Sequence, residues 1–140
     1  MDKQGIPSFQ VGHSHESNTF VNNVELPPKR FDLIYELRND TITWLMSDAI
    51  NCSQEIIYEE CGGVALSNKK YNYILDRSGH VLQEDACNCP NFKQCQKSRG
   101  DIRATLTHKS LLPISAIGVG DTGGAHESTN FRIGKLRCSL

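Results

Sequence analysis

Cys61 and His80 are the first candidates for catalytic residues, and they lie on either side of a predicted strand–turn–strand segment. A cysteine nucleophile needs an imidazole within hydrogen-bond reach, because the thiolate reacts and the leaving group must later be protonated. Pairing of the flanking strands would bring the two residues to one edge of a sheet. The sequence therefore predicts a Cys–His pair in which Cys61 is the nucleophile and His80 the base.

Neighbouring residues supply the other groups that such a site requires. Gly62 and Gly63 leave room for a substrate and offer backbone amides to an oxyanion, and Asp76 or Asp85 could orient the imidazole. The local pattern resembles the Cys–His pairs of bacterial glutamine deamidases, which implies a small cysteine-dependent hydrolase or deamidase acting on a protein or small-molecule substrate. The alternative is a small buried cysteine beside a tight glycine turn, with the histidine on a solvent-facing hairpin.

A second set of reactive residues consists of three cysteines in a polar loop, and cysteines spaced in this way are typical of a metal site. Cys87, Cys89 and Cys95 lie within nine residues, and three thiolates so close can converge on one tetrahedral zinc ion. Cys138, His80 or His108 could supply the fourth ligand. The sequence therefore predicts a structural zinc site, which would make the chain a non-catalytic, zinc-stapled binding or interaction module. Disulfides or free thiols are the alternatives for the same cysteines.

His13 and His15 indicate a third kind of site near the start of the sequence. Two histidines two positions apart on a strand point to the same side and can hold zinc. With Glu60 as the acidic residue, the pair resembles the His-x-His of the zinc isopeptidases of the JAMM class, which implies a zinc-dependent hydrolase. An exposed polar arm is the alternative.

Composition limits the classes of protein to which the chain can belong. With 38% hydrophobic and 22% charged residues, it is predicted to be a soluble globular protein. Its net charge of −1 gives no strong signal for nucleic acid, and no apolar run is long enough for a membrane helix. No secretory signal is visible, so the chain is expected to be cytoplasmic or exported by another route, with its six cysteines mainly reduced.

The positions of these residues depend on a predicted α+β domain at 31–140, preceded by an irregular arm at 1–30 with a short edge strand at Thr19–Val21. Phe31–Ile50 has apolar residues at three- and four-residue steps, which predicts one main amphipathic helix. Later alternating and apolar runs predict a mostly antiparallel sheet of about five or six strands, on which the helix packs. Asp76–Gly79 is predicted to be a hairpin turn in which glycine supplies a positive φ angle.

Gly118, Gly120 and Gly123 match the G-x-G-x-x-G pattern of dinucleotide-binding loops and follow an apolar run. Too few residues remain after them for the helix and the acidic residue that such a site needs. The sequence therefore predicts a glycine-rich loop between strands at this position.

Overall fold

A computed structural model of the protein describes residues 8–24, 27–61, 72–82, 102–120, 122 and 128–140. These residues form nine β-strands, one α-helix and one short 3₁₀ turn, and the strands pair antiparallel. The elements are, in chain order, β1 (Ser8–Val11), β2 (Thr19–Asn22), β3 (Lys29–Asp32), α1 (Asn39–Met46), β4 (Asn51–Cys61), β5 (Tyr73–Leu75), β6 (Ile102–Leu106), the 3₁₀ turn (Lys109–Leu111), β7 (Ala116–Val119), β8 (Ser128–Ile133) and β9 (Leu136–Ser139).

The larger sheet is built around β4. Its strand order is β1-β9-β4-β8-β2, and β6 pairs with β4 as well. β8 and β9 follow one another along the same side of β4, where Ile133 lies opposite Ile56 and Arg137 lies opposite Ser53. Two residues of β4 therefore face three residues at 134–136, which is a β-bulge, and bulges bend a strand and increase its twist.

The smaller sheet has the order β3-β7-β5, and all four residues of its central strand are buried. Backbone bonds beyond the strand ends connect it to the larger sheet. The N–H of Glu36 donates to the carbonyl of Gly12 at 2.9 Å, and the N–H of Ser14 donates to the carbonyl of Ile34 at 3.0 Å. These bonds join the β1 side to the β3 side, so the two sheets curve together into a half-barrel.

The hydrophobic core lies between the two sheets and continues under α1. Because the side chains of a β-strand point alternately to its two sides, strands such as β8 and β9 contribute every second side chain to it, whereas all four residues of the central strand β7 are buried. The largest fully buried apolar side chains are Tyr58, Phe131, Ile42, Ile56, Leu106, Leu112, Ile114, Ile117, Ile133 and Leu136. In the described ranges, no helix is long and apolar enough to cross a membrane.

The predicted α+β fold with one main amphipathic helix is wrong, because the molecule is a mostly antiparallel β-structure with one short helix. α1 covers only eight residues of the predicted helix. Phe31, Leu33 and Tyr35 also fit a period of two: they are buried or half-buried, whereas the alternate Asp32 and Ile34 are exposed. Backbone pairing of this segment with β7 and with residues 12–14 selects the extended form.

Other predictions about local structure are confirmed. The hairpin turn forms at Asp76, whose N–H donates to the carbonyl of His80 at 2.9 Å, and Gly79 has a φ angle of 83°. The strand predicted at Thr19–Val21 is β2, which lies at an edge of the larger sheet. Gly118, the first glycine of the G-x-G-x-x-G pattern, lies within β7 opposite Tyr73.

Candidate functional site

Cys61 and His80, the two residues of the predicted Cys–His pair, lie toward opposite ends of the strands β4 and β7. Along β4, Gln54 bonds to Ile114 just before β7, and the Tyr58 hydroxyl donates to the carbonyl of Gly118 at 3.2 Å. The turn that carries His80 lies at the Ile114 end of β7, whereas Cys61 is seven residues beyond Gln54 in the other direction. At about 3.3 Å per residue that is roughly 23 Å of strand. The register therefore does not favour the pair, which stays a prediction.

Asp76 lies close to His80, but it acts on the backbone of the turn. Its Oδ1 accepts hydrogen bonds from the N–H of Ser78 at 2.8 Å and from the N–H of His80 at 3.1 Å. A carboxylate used in this way stabilises a tight turn. The Asp76 side chain is buried while His80 is exposed to solvent.

Most of the predicted zinc site lies outside the described residues. This holds for Cys87, Cys89 and Cys95, and equally for three residues of the predicted catalytic site, Gly62, Gly63 and Asp85. His108 is described: it is exposed and precedes the 3₁₀ turn. Within the described ranges, no three His, Cys, Asp or Glu side chains come together as metal ligands. The structural zinc site stays a prediction.

Cys138 is in a disulfide bond with Cys52. The two residues lie directly opposite each other on β9 and β4, and both are buried. A sulfur in a disulfide has no thiolate to offer a metal. Cys138 is therefore not available as a zinc ligand, and the expectation that these two cysteines are reduced is corrected as well.

His13 uses both ring nitrogens inside the fold. Nε2 lies 3.0 Å from the carbonyl oxygen of Gly134, and Nδ1 accepts from the N–H of His15 at 3.0 Å. Because a carbonyl can only accept, Nε2 carries the proton and Nδ1 holds the accepting lone pair. Neither nitrogen is left for a metal, so the geometry does not favour the JAMM-like zinc site with His13, His15 and Glu60, which stays a prediction.

The His15 ring lies between two aromatic side chains. Its centroid is 5.7 Å from that of Phe31 and 5.9 Å from that of Phe131. Burial, and then the neighbouring His13, lower the pKa of His15 below its usual value. The neutral ring is therefore the favoured form at this position.

A polar network that the sequence analysis did not identify joins the two sheets at Gln54. The Gln54 Nε2 donates to the Tyr35 hydroxyl at 2.8 Å and to the carbonyl of Gly134 at 3.0 Å, while its Oε1 accepts from the N–H of Ile114 at 2.9 Å. The Tyr35 hydroxyl donates to the carbonyl of Ile114, and burial raises the pKa of that hydroxyl. The signal for this network in the sequence is Gln54 itself, a polar residue at an inward position of a strand in which inward and outward side chains alternate.

The solvent side of the larger sheet carries a continuous set of small polar side chains around one arginine. On β9, Arg137 has Gln10 of β1 directly opposite on one side and Ser53 of β4 directly opposite on the other. Ser139 is flanked in the same way. We call this surface the polar sheet face, and its members are Ser8, Gln10, Asn51, Ser53, Thr107, Arg137 and Ser139.

These side chains have hydrogen-bonding capacity that the fold does not use. Arg137 makes no ion pair with any residue that the structure describes, and the other six side chains make no hydrogen bond to a described residue. All seven line a cleft of about 420 Å³, which has the size of a small-ligand site. Arg137 and Ser53 also line a second cleft of about 270 Å³ beside Lys135. The surface is therefore able to bind a polar ligand.

The pattern that encodes the polar sheet face is visible in the sequence once the strands are known. Arg137 stands between two inward residues, Leu136 and Cys138, so it must point outward. Ser53 stands in the same relation to Cys52 and Gln54. Comparison with known proteins adds no assignment: no family model matches the sequence, and no curated protein matches it.

Proposed function

We propose that the chain is a non-catalytic binding module whose ligand lies on the polar sheet face. The observation that carries the proposal is the unused hydrogen-bonding capacity of seven adjacent polar side chains around Arg137. Binding sites combine a concave surface with a few polar groups that fix the orientation of the ligand. The proposal retains the interaction module expected from the sequence and transfers its binding surface from the 87–95 loop to the sheet.

The disulfide supports this proposal because it braces the strands that carry the polar sheet face. Cys52 and Cys138 point into the core directly behind the face, one position away from Ser53 and Arg137. The cross-link holds β4 and β9 in one register, so the backbone positions of Ser53 and Arg137 are fixed relative to each other before a ligand arrives. Preorganisation of this kind lowers the entropic cost of binding. A structural disulfide also suits an oxidising compartment.

The placement of the predicted catalytic residues gives less support to a hydrolase. Cys61 ends β4 in the larger sheet, whereas His80 belongs to a turn at the opposite end of β7. Asp76 is occupied by the backbone of that turn. General base catalysis requires the base within hydrogen-bond reach of the proton that it removes.

The proposal is tested by titrating the ¹⁵N-labelled protein with maltotetraose, hyaluronan tetrasaccharide, hexaglycine and hexaglutamate while amide shifts are recorded. We expect at least one probe to shift the amides of Gln10, Ser53 and Arg137 and to leave those of β3 and β5 in place. The same titration of Cys61→Ala should give the same shifts, since a binding surface does not need the thiol. The proposal is overturned if none of the four probes shifts these amides, or if Cys61→Ala abolishes the shifts.

A further inference from the structure

We infer that the ligand of the polar sheet face is an acidic oligosaccharide whose carboxylate or sulfate group is held by Arg137. This inference rests on the proposed function and specifies the chemical class of its ligand.

Arg137 is placed to recognise an oxyanion. It is exposed, and neither of the side chains directly opposite it, Gln10 and Ser53, is charged. Glu55, the acidic residue nearest along β4 on this side, lines the second cleft together with Arg137, and its carboxylate forms an ion pair with the Arg132 guanidinium at 3.6 Å. A guanidinium with free N–H groups matches the two oxygens of a carboxylate or sulfate in a bidentate manner.

The side chains around Arg137 match the hydroxyl groups of a sugar. Hydroxyls and amides both donate and accept, so they can pair with hydroxyls in either direction. The residues in question are Ser8, Ser53, Thr107 and Ser139, with the amides of Gln10 and Asn51. They are spread over neighbouring strands, so a ligand several bonds wide can contact more than one of them.

The face is less suited to an extended peptide or to a nucleic acid. β9, which carries Arg137, is already paired on both sides, with β1 and β4, so an extended peptide cannot be added as a strand beside Arg137. Among the described strands, the end of the sheet on this side is β1. Phe9 also lines the cleft, but its ring packs against the hydrophobic core, and none of the seven side chains of the polar sheet face is aromatic. Single-stranded nucleic acids are bound largely by stacking on exposed aromatic rings. The net charge of −1 also supplies no overall positive field to attract a dense polyanion.

The balance of charge indicates a sparsely charged saccharide. Arg137 is the one cation among the seven residues of the polar sheet face, and Lys135 beside it lies 3.9 Å from Glu16. One acidic group for every two sugars would place a single anion at Arg137 and leave neutral hydroxyls for the serine and amide side chains. A uronic-acid polymer such as hyaluronan has this composition.

The experiment compares hyaluronan tetrasaccharide with chitotetraose, which has the N-acetylglucosamine but no carboxylate, by calorimetry and by amide shifts. A keratan sulfate tetrasaccharide, which has sulfate groups but no carboxylate, distinguishes sulfate from carboxylate, and hexaglutamate tests an acidic peptide. We expect hyaluronan to bind about tenfold more tightly than chitotetraose, and Arg137→Ala to remove that difference. Arg137→Lys should recover part of it, because lysine keeps the charge without the bidentate fork.

Arg30→Ala is the matched control, because Arg30 is an exposed arginine on β3 that pairs with Asp32 at 2.8 Å. It should bind hyaluronan as the unmodified protein does. The inference about the ligand would be overturned by any of three results: equal affinity for the acidic and neutral sugars, an Arg137→Ala variant that keeps the preference for the acidic sugar, or tighter binding of hexaglutamate. Each of these results would still leave the polar sheet face as a binding surface. Tighter binding of the sulfated sugar would support the inference with sulfate as the anion. If no probe shifts the face, the proposed function fails as well.

Discussion

At the scale of single residues, Gln54 connects the two sheets through its buried side chain. Its carboxamide satisfies the backbone N–H of Ile114 before β7 and the backbone carbonyl of Gly134 at the bulge. A backbone N–H that is buried without a partner costs about 1–3 kcal/mol. The residue is 1% exposed, so water cannot take over these bonds.

We expect Gln54→Leu to lower the free energy of unfolding by about 1–3 kcal/mol, because leucine fills similar space but leaves the Ile114 N–H unpaired. Urea unfolding with the disulfide intact measures the change. Gln10→Leu is the matched control, since Gln10 is exposed on the neighbouring β1, and its effect should stay within about 0.5 kcal/mol. Equal losses in the two variants would contradict a role for the buried network.

The lowered pKa of His15 predicts that the stability of the fold depends on pH. Burial, and then His13, lower its folded-state pKa below the ordinary value of 6.5, so the unfolded chain takes up the proton first as the pH falls. The free energy of unfolding should therefore be highest above pH 6.5 and decrease below it. His15→Phe keeps a ring between Phe31 and Phe131 but cannot be protonated.

Measurements of the free energy of unfolding at about pH 7.5 and about pH 5 test this dependence on the protonation of His15. The loss of stability on acidification should be smaller in His15→Phe than in the unmodified protein. An identical loss in both proteins would mean that His15 does not carry the effect.

Single residues were predicted from the sequence only where their local neighbours determine their role. Asp76 and Gly79 form the expected turn because both act within five residues. Gln54 was missed because its partners, Tyr35 and Gly134, are distant along the chain. The disulfide partner of Cys138 was missed for the same reason, since Cys52 lies 86 positions earlier in the chain.

At the scale of elements, Gly118 allows β5 and β7 to pair closely. It lies opposite Tyr73, and a Cβ at this position would overlap the Tyr73 ring. We expect Gly118→Ala to reduce the free energy of unfolding by about 1–3 kcal/mol through overpacking.

A double-mutant cycle isolates the contact between the two strands. Gly118→Ala introduced into a Tyr73→Ala background should cost clearly less than in the unmodified protein, because the overlapping ring is then absent. Thermal or urea unfolding of the four proteins supplies the comparison. Additive effects would show that the ring is not the obstacle.

The disulfide connects two elements that are far apart along the chain. The Cys52–Cys138 bond closes a loop with a sequence separation of 86, and such a cross-link lowers the entropy of the unfolded chain. Replacing both cysteines by alanine should cost about 3–5 kcal/mol. Unfolding in the absence of reductant measures the loss.

Dithiothreitol provides the control for the same prediction. It should destabilise the unmodified protein by a similar amount and should have a much smaller effect on the double variant. A double variant as stable as the parent would show that the bond does not brace the fold.

Elements were predicted where a local signal decides, as at the edge strand β2. The segment from Phe31 to Tyr35 satisfies both a helical and an alternating pattern, and local preference does not decide between them. Pairing with β7 and with residues 12–14 decides in favour of the strand. Such pairing is a tertiary effect that a sequence window cannot contain.

At the scale of the whole molecule, the half-barrel depends on β4 more than on its helix. β4 pairs with β6 on one side and with β8 and β9 on the other, and its inward residues Ile56 and Tyr58 are at most 1% exposed. α1 has eight residues, lacks a side-chain cap at its start and leaves Trp44 42% exposed. Helices of this length are marginal without tertiary support.

Amide hydrogen exchange followed by NMR tests this arrangement. We expect the slowest exchange at Ile56 and Tyr58 of β4 and at Phe131 of β8, because these amides open only when the whole sheet unfolds. The amides of α1 should exchange at least about tenfold faster, since the helix can open while both sheets stay paired. If α1 were protected as strongly as β4, the helix would belong to the same cooperative unit as the sheets, and the stability of the molecule could not be assigned to its strands.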